Sequence, residues 1–443
     1  MHQSRIHLER RTALARLLGS NSVAIVPTAS EQQRNRDSDF LFRPDSYFYY
    51  LSGFSEPNAW LVLTSEGHCT LFCQPKDAER EIWDGIRLGP DAAVAALGVD
   101  AAFSVDQLDQ QLPALLDGRE SVWFPFATHK LLPIRVDEWL QTLRGRARSG
   151  ARAPHQLADL CSLLDEMRLL KDAHELDTMR RAAQISAEAH GRAMQLCARR
   201  THEGFDLREY HLDAELLHTF RQHGSQYPAY SSIVAGGANA CILHYRADAG
   251  RIQKSDLVLI DAACELDCYA SDITRTFPAS GRFTGPQRAL YDVVLAAQYA
   301  AVEATRAGAL FTAPHDAAVR VLSQGMLDLG LLSREQHGSV DDVISQRSYS
   351  RFYMHRTSHW LGMDVHDCGS YTEPTGASRT LRANMVLTLE PGIYVRPTPD
   401  VPTDFHNLGI RIEDDAIVTE DGCELITRGV PVDATEIETL MHS

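Results

Sequence analysis

DAACELDCYASD, residues 261–272, begins and ends with an aspartate, and each aspartate stands at the edge of an apolar run. Upstream, Leu257, Val258, Leu259 and Ile260 form a short β-rich segment that reads as a buried strand. Downstream, Tyr269, Ala270, Ser271, Ile273, Thr274, Thr276 and Phe277 read as a second strand, rich in β-branched and aromatic side chains. Glu265-Leu266-Asp267 is the only polar break between them, so a turn is predicted about 266 and 267. Such a turn makes Asp261 and Asp272 direct cross-strand partners on one face, with Cβ atoms roughly 5 Å apart. Two carboxylates placed so repel, and burying them is costly unless something compensates. A divalent cation is the simplest compensation. Two unrelated surface aspartates near a hairpin tip are the alternative, so the rest of the chain has to decide.

Two more predicted strands end in acid. In NMVLTLEPG, Glu390 follows an apolar run; Pro391 holds it extended and Gly392 permits a sharp turn. In GIRIEDDAIV, Ile410 and Ile412 share one face, Arg411 and Glu413 the other. Taken singly, each of these acids reads as a solvated strand residue. Histidines add weight: YMHRTSHWLGMDVHD packs His355, His359 and His366 into one short segment, and ILHYR places His244 after an apolar pair. Two Asp, two Glu and at least one His make a hard, oxygen-rich donor set. It suits Mn²⁺ or another divalent first-row ion and is a poor match to a thiolate zinc site. Five ligands exceed what a mononuclear catalytic site uses. Bridging carboxylates would allow two metals about 3.5–4 Å apart, and hydrolysis of an amide or phosphate ester is the natural reaction class.

Bulk properties narrow the field. At 443 residues the chain has room for two or three domains. A formal net charge of −16 without a basic tract argues against nucleic acid and anionic membranes as partners. Nine irregularly spaced cysteines, with no CxxC pair, read as reduced thiols of a cytoplasmic protein. The opening MHQSRIHLERRTALARLL has no apolar core of a secretory signal, and no run of about 18 apolar residues reads as a transmembrane helix.

Along the chain, SVAIVPTAS, AWLVLTSEGHCTLFCQP (a hairpin turning at Glu66-Gly67) and SVWFPF read as strands, with LDQQLPALLDG as a helix. This is an α/β unit, and the basic stretch RGRARSGARAP, 144–154, is the expected edge of it. Next, Asp172 and Glu175 resemble a capping box opening a strong helix, with Leu176, Met179, Ala183, Ser186 and His190 at helical spacing. A second helix follows near 206–224. Strands are predicted over 229–277, helices over 286–330 and strands again over 385–425, which suggests one α+β domain from about 165 onward.

HYR, LIDAACELDCYASDITRTF, MHRTSHWLGMDVHD, TLEPGIY and GIRIEDD, in this order and spacing, resemble the pita-bread metallopeptidases, and within them the bacterial aminopeptidase P (Xaa-Pro aminopeptidase) family. The early segment RNRDSDFLFRPDSYFYYLSGFSEPNAWLVL is similar to that family's N-terminal domain. The resemblance implies an N-terminal α/β domain, 1–165, and a pseudo-two-fold pita-bread catalytic domain of curved sheet and helices, 166–443, so an α+β fold overall. It implies a dinuclear exopeptidase that removes the first residue from peptides with proline second, by way of a metal-bridging hydroxide. The metal ligands implied are Asp261 on one ion, His359 and Glu390 on the other, and Asp272 and Glu413 bridging; the ions are Mn²⁺, with Zn²⁺ or Co²⁺ as alternatives. Glu390 is also implied to move the proton from the attacking water to the departing proline nitrogen. His244, His355 and His366 would line the substrate site, with His366 on the scissile carbonyl. Arg411 would orient a ligand or contact substrate, with Tyr230 and Tyr394 as further contacts. A homo-oligomer, dimer or tetramer, is implied, and Trp83 in EIWDG is a candidate to reach a neighbouring subunit's site. One departure stands out: HRTSHW has Arg356 where the family leads one to expect a small residue.

Prolidase, restricted to Xaa-Pro dipeptides, is the nearest rival. Methionine aminopeptidase lacks so large an N-terminal domain, and creatinase-like enzymes keep the fold without the metals. A different class, non-catalytic pita-bread binding modules, has lost ligands that are intact here.

Overall fold

The structure is a computed structural model that describes residues 2–246 and 248–443. It divides into two compact units, Met1–Met167 and Arg168–Ser443.

The first unit is built on a six-stranded mixed sheet. Its order is Ala101–Ser104, Cys69–Cys73, Trp60–Thr64, Ser22–Pro27, Ser121–Phe124 and Gln156–Asp159. The hairpin expected at Glu66-Gly67 forms, with Gly67 at φ 92°, a conformation that costs glycine nothing. Helices Leu108–Leu116 and Leu132–Gly145 cover one face, packing Leu112, Val136 and Trp139 against Val23, Ile25 and Val122. The basic 144–154 stretch, expected at the edge of this unit, lies inside it. The strand that follows, Gln156–Asp159, pairs parallel with Ser121–Phe124 and completes the same sheet.

The second unit opens on the Ala173–His202 helix. Its capping box is formed as expected: Asp172 accepts from the backbone N–H of His174 and Glu175, and Glu175 accepts from that of Asp172. Leu176, Met179, Ala183, Ser186 and His190 are all buried, so the spacing read from sequence is the core stripe of this helix. Helices Glu209–Gln222, Gly285–Ala304 and Ala313–Asp328 contribute to the same core, which also takes in the strands. Those strands fall in two groups. Ile233–Gly236, Leu257–Asp261 and Thr274–Pro278 form one antiparallel sheet; Val386–Leu389, Asp414–Val418 and Cys423–Leu425 form another, with Gly392–Val395 and Leu408–Arg411 as a separate pair. The groups are joined where Glu413 N–H donates to Thr274 O (3.1 Å) and Asp272 N–H donates to both carboxylate oxygens of Asp415 (3.2 and 3.0 Å). That seam brings the acids of the two halves together.

The opening hairpin differs from expectation by one position. Asp261 lies opposite Thr274, and the tip pairs Leu266 with Tyr269, so the turn falls on Asp267 and Cys268. Both adopt positive φ, 48° and 66°, which neither residue type announces. Asp261 and Asp272 are therefore diagonal neighbours on one face rather than direct partners. Gly392 also serves differently than expected. Its φ is not positive; a Cβ there would lie 2.7 Å from the Tyr394 hydroxyl and 2.8 Å from Ile410 O, so glycine is required for close approach.

No disulfide forms among the nine cysteines. Among the described residues, no helix is long and apolar enough to cross a membrane.

Candidate metal centre and substrate cavity

Strand ends deliver the acids. Asp261 closes the Leu257–Asp261 strand, Glu390 follows Val386–Leu389, and Glu413 sits in the break between Leu408–Arg411 and Asp414–Val418. Asp272, His359, Glu390 and Glu413 join Asp261 on the floor of one cavity of about 1060 Å³, together with Tyr230, His244, His355, His366 and Arg411. Tyr394 stands behind that wall, its hydroxyl bonded to His355 Nε2 (2.8 Å) and Arg411 Nη1 (2.9 Å). Trp83 belongs to the first unit, where it is 81% exposed.

Ligand atoms of Asp272, His359 and Glu413 all lie within 4.8 Å of one another. Asp261 and Glu390 flank this trio. The Tyr230 hydroxyl lies 2.6 Å from Asp261 Oδ1 and 2.6 Å from Asp272 Oδ1. A phenol has one proton and cannot satisfy two carboxylates at once. On the other side, His359 Nε2 is 3.4 Å from Asp272 Oδ2 and 3.6 Å from Glu390 Oε1. His359 Nδ1 donates to Trp360 O at 2.9 Å, which leaves the Nε2 lone pair of the neutral ring facing carboxylate oxygens. That is unfavourable by itself and is the arrangement of a histidine ready to bind a metal through Nε2.

The electrostatics agree. Burial, followed by the charges of Asp272, Glu390 and Asp261, pushes the Glu413 carboxyl well above the usual range. Burial raises Glu390 to about 7 against the pull of His359 and Arg411, and raises Asp261 against that of Arg411. Burial disfavours a charge on His359, but the hydrogen bond to Asp272 and the charge of Glu390 override it and lift the ring to about 9. Four acids, Asp272 and Glu413 buried and Asp261 and Glu390 half-buried, face only Arg411 and His359, so the cluster needs further positive charge before all four can ionise together. The donor set, four carboxylates and one imidazole nitrogen, fits a hard divalent metal.

Supporting contacts hold the acids. Arg411 donates to Asp261 Oδ2 (2.5 Å), Thr274 Oγ1 (3.0 Å) and the Tyr394 hydroxyl. Thr274 Oγ1 donates to Glu413 (2.5 Å), and Thr388 Oγ1 to Glu390 (3.2 Å). The His366 ring meets His359 edge-on at 4.4 Å, and burial, with His359 beside it, lowers its pKa, so it is neutral and keeps an N–H to donate. Burial, then Arg411, brings His355 down to about 3.

Sequence reasoning missed several residues here. Thr274, Thr388 and Asp415 anchor Glu413, Glu390 and Asp272, and His315 lines the cavity, its Nδ1 2.9 Å from the Thr357 hydroxyl, which also meets Tyr353 at 2.5 Å. Thr274 was legible only as a strand residue. For His315, at the start of a helix some forty positions before Thr357, the sequence carries no signal.

The model of metallopeptidase family M24 matches residues 177–420, and that of the aminopeptidase P N-terminal domain matches residues 7–123. The chain is 42% identical to the Xaa-Pro aminopeptidase of Escherichia coli over 98% of its own length and 96% of the relative's. It superposes on the structure of Pseudomonas aeruginosa aminopeptidase PepP with a TM-score of 0.95 at 46% identity, covering 99% and 98% of the two chains. It also superposes on Escherichia coli aminopeptidase P with the inhibitor Pro-Leu, with a TM-score of 0.94, 41% identity and coverage of 99% and 98%. The second unit thus has the pita-bread fold expected, and the chain belongs to metallopeptidase family M24, with the N-terminal domain of aminopeptidase P.

Proposed function

We propose that the chain is a Xaa-Pro aminopeptidase that hydrolyses the bond between a peptide's first residue and a proline in second position. The observation that carries this reading is the pair of carboxylates sharing one phenol proton beside a histidine whose Nε2 faces acid, all at the floor of a large cavity. Likeness to Xaa-Pro aminopeptidases over both units favours this reading over dipeptide-restricted prolidase. An intact donor set favours it over a binding module.

Asp261 would hold one divalent ion, His359 and Glu390 a second, and Asp272 and Glu413 both, with Mn²⁺ the best match and Zn²⁺ or Co²⁺ as alternatives. Bound metal would polarise the scissile carbonyl and make water acidic enough to attack near neutral pH. The chain's own residues supply the rest. A Xaa-Pro bond is a tertiary amide, so its nitrogen must gain a proton to leave. Glu390, at a strand end on the cavity wall, would take the water's proton and deliver it to that nitrogen. Neutral His366 donates to the carbonyl oxygen as negative charge develops there. Arg411 fixes Asp261 and, through Tyr394, His355; His244 and His355 bound the space for the peptide. Tyr230 holds Asp261 and Asp272 at a common distance.

The same proposal includes domains at 1–165 and 166–443, a cytoplasmic location and a homo-oligomer. Nine cysteines without a disulfide support the location. Ile82, Trp83 and Ile86, all at least 80% exposed, support a subunit contact.

The test is to strip metal, restore Mn²⁺, and supply Ala-Pro beside Ala-Pro-Asn. Release of alanine from the tripeptide supports the aminopeptidase. Cleavage of the dipeptide alone would make the chain a prolidase, and no cleavage of either would favour a binding module.

A further inference from the structure

Charge of both signs lines the cavity. Its wall contains four carboxylates, Asp261, Asp272, Glu390 and Glu413, and all four belong to the metal cluster on the floor. Three arginines also line it. Arg411 is buried and engaged with Asp261, Thr274 and Tyr394. Arg246 and Arg356 are different: both are exposed, and the guanidinium of neither has a hydrogen bond or ion pair among the described residues, although the Arg356 carbonyl accepts from His355 Nδ1 at 2.7 Å. Arg356 sits between His355 and Thr357, and Arg246 two positions after His244, so each extends from a stretch that bounds the peptide's space. His315 and Asp316 feel the charge of Arg356, yet Asp316 does not come within ion-pair distance of it.

The two arginines orient a peptide. They repel the substrate's α-ammonium group and attract a carboxylate, so the end beyond the scissile bond runs toward them. One extended residue spans about 3.3–3.6 Å, so the residue after proline is the first clear of the metal cluster. An exposed guanidinium without a partner is well shaped to take a carboxylate in bidentate fashion.

Resting on the aminopeptidase reading, we propose that Arg356 and Arg246 form an anion-recognising subsite that takes a carboxylate carried by the third residue of the peptide. Two sources share that chemistry: the peptide's own C-terminus in a tripeptide, and an acidic side chain in a longer substrate.

The experiment compares kcat/KM of the Mn²⁺-restored protein on three peptides: Ala-Pro-Asn amide, neutral downstream; Ala-Pro-Asn, with a free C-terminus; and Ala-Pro-Asp amide, with only a side-chain carboxylate. The expected result is about a fivefold preference for a carboxylate peptide over the neutral amide at low salt, expressed mainly in KM. The preference shrinks as salt rises and falls to about one in the Arg356→Gln/Arg246→Gln double variant. Preference for the free acid assigns the subsite to the C-terminus, and preference for the Asp amide assigns it to a side chain. Equal rates on all three peptides in the unaltered protein, a preference untouched by salt, or one retained by the double variant would overturn the proposal. The salt titration needs no variant, so a misfolded double variant leaves the question answerable. Failure to cleave any of the three would instead overturn the aminopeptidase reading, and the subsite with it.

Discussion

Asp367 lies next to His366, and its carboxylate binds two buried cations at once. Oδ1 accepts from Arg168 Nη2 at 2.6 Å and Oδ2 from Lys171 Nζ at 3.0 Å. Side-chain exposure is 1% for Asp367, 2% for Arg168 and 1% for Lys171. Replacing Asp367 with Asn leaves Lys171 with no other ion pair among the described residues, while Arg168 still faces Asp364, whose side chain is 45% exposed. Removing one partner of a buried pair costs about 3–5 kcal/mol, because the other charge stays desolvated. Asp367→Asn should therefore lose about that much in denaturant unfolding at pH 7. The Arg288–Asp292 pair is exposed, and Asp292→Asn should change stability by less than about 0.5 kcal/mol. The sign with pH follows from the pKa. Burial alone would raise Asp367, but Lys171 and Arg168 outweigh it and hold the carboxyl below its ordinary value. Its contribution is thus fully present above the unfolded carboxylate pKa of about 3.9 and is lost as pH falls through the lower, folded value. The gap between Asp367→Asn and the parent should be constant from pH 7 to 5 and close only below about 4. A loss at pH 7 of under about 1 kcal/mol, or a gap that closes between pH 7 and 5, would refute this reasoning.

His190 is fully buried; its Nε2–H donates to Ala262 O at 2.8 Å while Nδ1 has no partner, and burial drives its pKa down to about 3. Protonation then favours the unfolded chain, so His190 should remove about 1.4 kcal/mol of stability per pH unit as pH falls from about 6.5 toward 3, a slope that His190→Gln should abolish in unfolding measured against pH. Glu209 is fully buried and accepts four hydrogen bonds, from Gly236 N (2.9 Å), Asn239 Nδ2 (2.8 Å), Gly250 N (2.7 Å) and the Tyr245 hydroxyl (3.0 Å), so it ties both ends of the segment that carries His244. Glu209→Gln sets an amide N–H₂ against donors on one side; it should cost about 1–3 kcal/mol in unfolding and raise KM more than it lowers kcat.

The sequence made some parts of this plain because their causes are local. A capping box needs only Asp172 and Glu175, a core stripe needs only helical spacing, and Glu390-Pro391 fixes its own backbone. Clustered histidines and strand-end acids marked the cavity for the same reason. Other features depended on distant partners or unusual backbone. The hairpin slipped by one position because Asp267 and Cys268 adopt positive φ without a glycine to signal it. Thr274 meets Glu413 across 139 positions, and Asp367 meets Arg168 across 199, so neither pairing leaves a mark in nearby residues. The 144–154 stretch misled because polarity suits an internal crossing loop as well as a domain edge.

Metal counting after chelation tests the central claim most directly. Dialysed against Mn²⁺, the protein should bind two ions per chain with Ala-Pro-Asn cleavage returning in step, and Asp272→Ala should retain neither full count nor cleavage. Cleavage that returns with no metal bound, or a parent protein that binds none, would contradict it.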